Sequence, residues 1–170
     1  MEPPRLSVPN EALPGWLADQ FGLPELGNAT IARVQTCGLS AAAGFRVSAP
    51  GDESFYLKVF GRTVSEAAAR APRAAAIAGV PNVVAPLAMP DGAVIAALPG
   101  SVCGAALYPW VTGQPADTAG LSSDQWRELG RTLRTLHDSR LEERLLGHIP
   151  TCPATYRHDH LRDLMERCAA

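Results

Sequence analysis

One lysine stands among the fifteen basic side chains of this sequence, inside the apolar run ESFYLKVFG at residues 53–61. The other fourteen are arginines, in a composition leaning on Ala, Gly and Pro. A bias that replaces Lys wherever either cation serves leaves Lys58 as a residue with a use of its own. Arginine recognises oxyanions as a planar fork, whereas lysine is a compact point charge suited to phosphate oxygens. Alternation along 54–60 places Phe55, Leu57 and Val59 on one face of a strand and Tyr56, Lys58 and Phe60 on the other. A lysine there either snorkels to solvent at a sheet edge or faces a cleft with a partner, because an isolated buried ammonium is costly.

Three neighbours favour the cleft. The loop GLSAAAGF at 38–45 is bounded by glycines, and its small residues would let backbone N–H groups approach phosphate oxygens. Glu66 opens a helix just after the lysine strand and is the only acid between Glu53 and Asp91. It either pairs with Lys58 or completes a capping box with Thr63. A strand ending in a short linker, LYPWVTG at 107–113, follows further on.

The elements that must position these residues are legible in outline. EALPGWLADQFG at 11–22 predicts a short helix with Trp16, Leu17 and Phe21 on one face and Gly22 ending it. Strand-length runs at 30–38, 44–50 and 54–60, with the turn signal APGDE before the last, predict an antiparallel meander. The Ala-rich stretch from Thr63 to Gly79 predicts a helix, kinked or broken at Pro72. VVAPLAMPDGAVIAAL at 83–98 predicts two strands around a Pro-Asp-Gly turn, and ALYPWV at 106–111 one more. Ser122 and Gln125 form a capping-box pattern ahead of Trp126, Leu129, Leu133 and Leu136, which share a helical face. ATYRHDHLRDLMERCAA at 154–170 also reads as helical. The fold class expected is therefore α+β: a sheet lobe over residues 1–113, then the start of a helical lobe over 114–170.

Composition excludes several classes. With 170 residues, 46% of them hydrophobic, and a net charge of −2, the chain suits one core or two small lobes. It shows no basic surplus for nucleic acid and no charge block for a membrane surface. Residues 1–16 lack the pattern of a signal peptide, and the most apolar region, about 74–98, is broken by Pro81, Pro86, Pro90 and Asp91. Cys37, Cys103, Cys152 and Cys168 contain no C-x-x-C pair, a pattern of reduced thiols in a cytoplasm.

Over residues 30–138 the chain resembles the aminoglycoside phosphotransferase and choline kinase family, which has a protein-kinase-like fold. YLKVF looks like the family's third strand with its ATP-phosphate lysine, and GVPNVVAPLAMPDG is similar to the segment leaving its Glu-bearing helix. LYPWVTGQ resembles the hinge, and WRELGRTLRTLH the first large helix of the helical lobe. The resemblance implies ATP as cofactor, with Lys58 and Glu66 as a pair and Ser40 and Ala41 in the phosphate loop. It also implies that the Pro109 carbonyl and Val111 N–H meet the adenine edge, beside Tyr108. Ser40 read alone is equally a turn residue, and His137 reads as a packed helix-end histidine.

What is missing bears on activity. The family transfers the γ-phosphoryl of ATP to a small-molecule hydroxyl, using an Asp in an H-x-D-x-x-x-x-N-like loop and a further Asp to hold Mg²⁺. Here the last Asn is Asn82, and no His is followed by Asp two positions later. The expectation is an N-terminal portion of a longer enzyme, inactive by itself, with Mg²⁺ binding confined to the full-length protein and self-association through uncovered helical-lobe surface. The alternative is a non-catalytic nucleotide-binding or interaction module of the same fold.

Overall fold

The computed structural model describes residues 11–34, 43–60, 66–101, 103–114 and 116–139, with backbone alone at 66–68 and 117. Five antiparallel strands form one sheet of spatial order β1-β2-β3-β5-β4. The expected meander is β1 (Thr30–Val34), β2 (Ala43–Ser48) and β3 (Ser54–Val59). Its second turn is closed by Ala49 N–H donating to the Glu53 carbonyl at 2.9 Å, with Gly51 and Asp52 at positive φ. Glycine takes that left-handed backbone freely, and Asp tolerates it better than most residues. β5 (Gly104–Pro109) pairs with the other side of β3, setting Tyr56 opposite Tyr108 and Lys58 opposite Ala106. β3 is thus the central strand, and Lys58 is not on an edge.

The alternation decides which face is core. Phe55, Leu57 and Val59 of β3 are buried, together with Val47 of β2 and Ala105 and Leu107 of β5. Helix α1 (Leu13–Phe21) adds Leu13, Leu17 and Phe21 to that cluster, with Trp16 packed at its margin. Burying each such side chain fully is worth about 1.5–3 kcal/mol. The helix stops at Gly22, whose φ of 64° makes the left-handed cap expected of it. A 3₁₀ turn, Pro24–Asn28, contributes buried Leu26 and leads into β1.

Two expectations are corrected. Helix α2 (Glu66–Ile77) continues through Pro72, so the expected break does not occur. The missing N–H removes one helical hydrogen bond, but Ala69 on one side and Ala74 and Ala75 on the other are buried, and that packing keeps the helix whole. Arg73 Nη1 also ties it to the Pro86 carbonyl at 3.2 Å. The second correction concerns 83–98. Only the two-residue β4 (Ala96–Ala97) forms a strand, paired with β5. The first arm lies beside the sheet through one bond, Leu87 N–H to the Leu107 carbonyl at 2.7 Å, while Met89 N–H donates to the Ala93 carbonyl at 2.8 Å across the turn. Pro86 and Pro90 cannot donate to a ladder, so a regular strand cannot form there.

After β5 come a single turn, α3 (Ala116–Ala119), and the long helix α4 (Ser123–Asp138). The capping box forms as read: Gln125 N–H donates to Ser122 Oγ at 3.3 Å, and Ser122 N–H to Gln125 Oε1 at 2.8 Å. Asn82, at φ 59°, donates to both Glu128 Oε1 and Thr132 Oγ1 at 3.3 Å, joining the turn after α2 to α4. Trp126, Leu129 and Leu133 are exposed, the first by 60%. His137 is exposed rather than packed, in the last turn of a helix that buries none of its residues. No helix among the described residues is long and apolar enough to cross a membrane.

Candidate functional site

The face of β3 opposite the core carries Tyr56 and Lys58, since residues two apart on a strand point the same way. Pairing with β5 brings Tyr108 beside Tyr56, and the chain beyond it continues past the sheet's end. Together Tyr56, Lys58, Tyr108, Pro109, Trp110 and Val111 line a cavity of about 380 Å³, with Val84 from the segment after α2. That volume lies in the range of small-molecule and cofactor pockets. The lining is mainly apolar and aromatic, with one cation. An elongated ligand with a flat apolar body and an anionic end matches that distribution.

The Tyr56 and Tyr108 rings stand 6.4 Å apart between centroids, tilted by 47°. Burial pushes both hydroxyls above their usual pKa, and for Tyr108 the neighbouring Tyr56 adds to the effect. Both therefore remain neutral hydrogen-bonding groups at physiological pH. Lys58 Nζ lies 5.2 Å from the centre of the Phe60 ring, a cation–π contact on the same strand face. Among the described side chains no carboxylate pairs with Lys58. Trp110 N–H is taken by the Ser54 carbonyl at 3.1 Å. Pro109 has only a carbonyl to offer, and Val111, two residues on, is 63% exposed.

Of the residues singled out from sequence, Lys58, Tyr108, Pro109 and Val111 meet in this one cavity. Glu66 is the first residue of α2, with its side chain outside the description. Ser40 and Ala41 lie outside the described residues. Sequence reasoning did not nominate Tyr56, Val84 or Trp110. Tyr56 had a signal, its shared face with Lys58, and Trp110 sits between two nominated residues. Val84 had none. Among the described residues no group of three His, Cys, Asp or Glu converges to hold a metal ion.

A lysine-bearing central strand in a five-stranded antiparallel sheet, followed by a cavity-lining linker and a long helix, defines an α+β protein of kinase-like fold. The solved structures agree. Spectinomycin phosphotransferase APH(9)-Ia in complex with ADP and spectinomycin superimposes with a TM-score of 0.68 at 16% identity, over 86% of this chain and 43% of that one. The AMP-bound complex of the same enzyme gives 0.65 at 14% identity, over 94% and 47%. The chain thus spans less than half the length of these relatives. No curated protein matches it by sequence. The phosphotransferase enzyme family, APH, matches residues 38–170, and the chain belongs to that family.

Proposed function

We propose that this chain is the ATP-binding portion of a small-molecule phosphotransferase, which passes the γ-phosphoryl of ATP to a substrate hydroxyl. The observation that carries the reading is Lys58 on the central strand, sharing one cavity with residues 108–111. ATP bound there would supply the phosphoryl group. Lys58 would oppose phosphate charge, aided by backbone N–H groups at Ser40 and Ala41, with Glu66 steadying the ammonium. The Pro109 carbonyl and Val111 N–H would meet the edge of the base, and the rings of Tyr56 and Tyr108 would flank it. Residues 1–113 are the nucleotide lobe in this reading, and 114–170 begin the helical lobe that receives the small-molecule acceptor. The ADP and AMP complexes of the spectinomycin enzyme support a nucleotide in the corresponding fold.

The described lining of the cavity carries no carboxylate to hold Mg²⁺, so no step is assigned to the metal in this chain; Mg²⁺ is expected only in a full-length enzyme. The sequence also lacks the H-x-D-x-x-x-x-N-like loop. Phosphoryl transfer depends on positioning and charge stabilisation, so transfer by these residues alone should be negligible. We read the protein as cytoplasmic, without nucleic-acid or membrane partners, and self-associating through the apolar stripe of α4. Calorimetry with ATP and ADP, with and without Mg²⁺, tests the reading. Expected is binding on the order of millimolar, little changed by the metal. Tight Mg²⁺-dependent binding, or measurable phosphoryl transfer, would show catalytic groups elsewhere in the chain. Absence of any nucleotide binding would end the nucleotide reading.

A further inference from the structure

We propose that Arg46 is a positioning residue of the cavity, holding the Trp110 ring in place as the wall at the end away from Lys58. Register sets the geometry. Arg46 on β2 lies opposite Tyr56 on β3, which lies opposite Tyr108 on β5, so all three project from the sheet face that carries Lys58. Lys58 is two pairs inward of that row. Trp110 is two pairs outward, its backbone N–H on the Ser54 carbonyl. The two ends are four strand residues apart, about 13 Å.

Trp110 follows the last residue of β5, and the bond to Ser54 fixes its backbone but leaves the indole ring to be held from elsewhere. Arg46 does. Its guanidinium carbon lies 4.9 Å from the centre of the Trp110 ring, and Nη2 donates to Ser54 Oγ at 3.2 Å. Ser54 Oγ in turn donates to Ser48 Oγ at 3.4 Å. The arginine is thus directed by a hydroxyl on β3 while its flat face covers an indole beyond β5, spanning three strands with one side chain. Among the described residues no carboxylate competes for it. A lysine could supply the charge but not the planar stack together with the directed N–H. The role in orienting Trp110 is independent of ligand; its effect on nucleotide affinity rests on the reading proposed above.

The test uses the full chain with Trp16→Phe and Trp126→Phe, which leaves Trp110 as the sole tryptophan. In that background Arg46→Met should raise acrylamide quenching of Trp110 roughly two-fold and weaken its near-ultraviolet dichroism, with the melting temperature little changed. Arg46→Lys should recover less than half of either signal. In the otherwise native chain, Arg46→Met should weaken ATP and ADP roughly two- to five-fold, the range of an exposed cation–π contact. Unchanged quenching and dichroism in Arg46→Met would overturn the positioning role. If the parent binds no nucleotide, the nucleotide reading falls and the quenching still decides for or against Arg46. If quenching shifts while nucleotide affinity does not, the wall has no part in binding, and the proposal is overturned in that respect. Should the two-Phe background not fold, difference spectra between Trp110→Phe and Arg46→Met, each against the native chain, read the same signal.

Discussion

Lys58→Met removes the cavity's cation while keeping a long unbranched side chain over the Phe60 ring. A hydrogen bond from a charged donor is worth roughly 1.5–3 kcal/mol. Lys58 is part-exposed to solvent, and no bound metal shares the phosphate charge in the proposed reading, so the lower end applies. About 1.5 kcal/mol corresponds to about a ten-fold rise in Kd, from millimolar toward 10 mM, within reach of an NMR titration. Adenosine, which lacks phosphate, should bind parent and variant alike, so the loss should grow from adenosine to ADP and ATP. Lys58→Arg should recover part of the loss, because the fork carries the charge in a different shape. Stability should fall by no more than about 1 kcal/mol, the worth of the cation–π contact with Phe60. Lys58→Met binding ATP and ADP as well as the parent, with the fold intact, would refute the phosphate role. An equal loss for adenosine would show that the substitution damages the cavity rather than its charge.

Other outcomes follow from the same geometry. Leu57→Ala, at a fully buried position on the central strand, should cost about 2–5 kcal/mol in denaturant unfolding; a loss below about 1 kcal/mol would show that the core is not centred there. Asn82→Ala should destabilise more than Asn82→Gly, since both lose the bonds to Glu128 and Thr132 but only alanine resists a φ of 59°; equal unfolding midpoints would count against strain at this turn. The raised pKa of Tyr56 and Tyr108 favours the neutral phenols in the folded chain, so their contribution to stability is complete below the ordinary value of 10.0 and lost as pH rises beyond it through the folded values. Absorbance titration at alkaline pH should show a late-ionising fraction that disappears in Tyr56→Phe/Tyr108→Phe. Trp126→Gln with Leu133→Gln should reduce self-association in sedimentation, because uncovered apolar patches drive it; a parent monomeric at high concentration would contradict that reading.

Much of the lysine-bearing face is legible in the residues themselves. Lys58 stands out as the only lysine, and strict alternation separates it from Phe55, Leu57 and Val59. Tyr108, Pro109 and Val111 are marked by their place at the end of a strand and just past it, and they do share a cavity with Lys58. Tyr56 is two residues from Lys58 and on its face, yet its role as a wall depends on Tyr108 arriving opposite it, a pairing across more than fifty residues of chain. Val84 reaches the cavity only because its irregular segment is fastened at Asn82 to α4 and at Leu87 to β5.

The sequence by itself determined features whose causes act within a few residues. They include the meander and its turn at Gly51 and Asp52, the end of α1 at Gly22, the capping box at Ser122, and the two faces of β3. Side-chain period and local hydrogen bonds are short-range, and they are written consecutively in the chain. Tertiary structure decided what local signals could not. It kept α2 whole across Pro72 by burying alanines on both sides, and it laid the proline-interrupted segment at 83–90 beside β5, held there by the bond from Leu87 to Leu107. It seated β5 beside β3, and so made Lys58 central and brought Arg46 over Trp110. These outcomes turn on which distant surfaces become neighbours, and the free energy of that choice is shared among many buried contacts rather than held by any one stretch of residues.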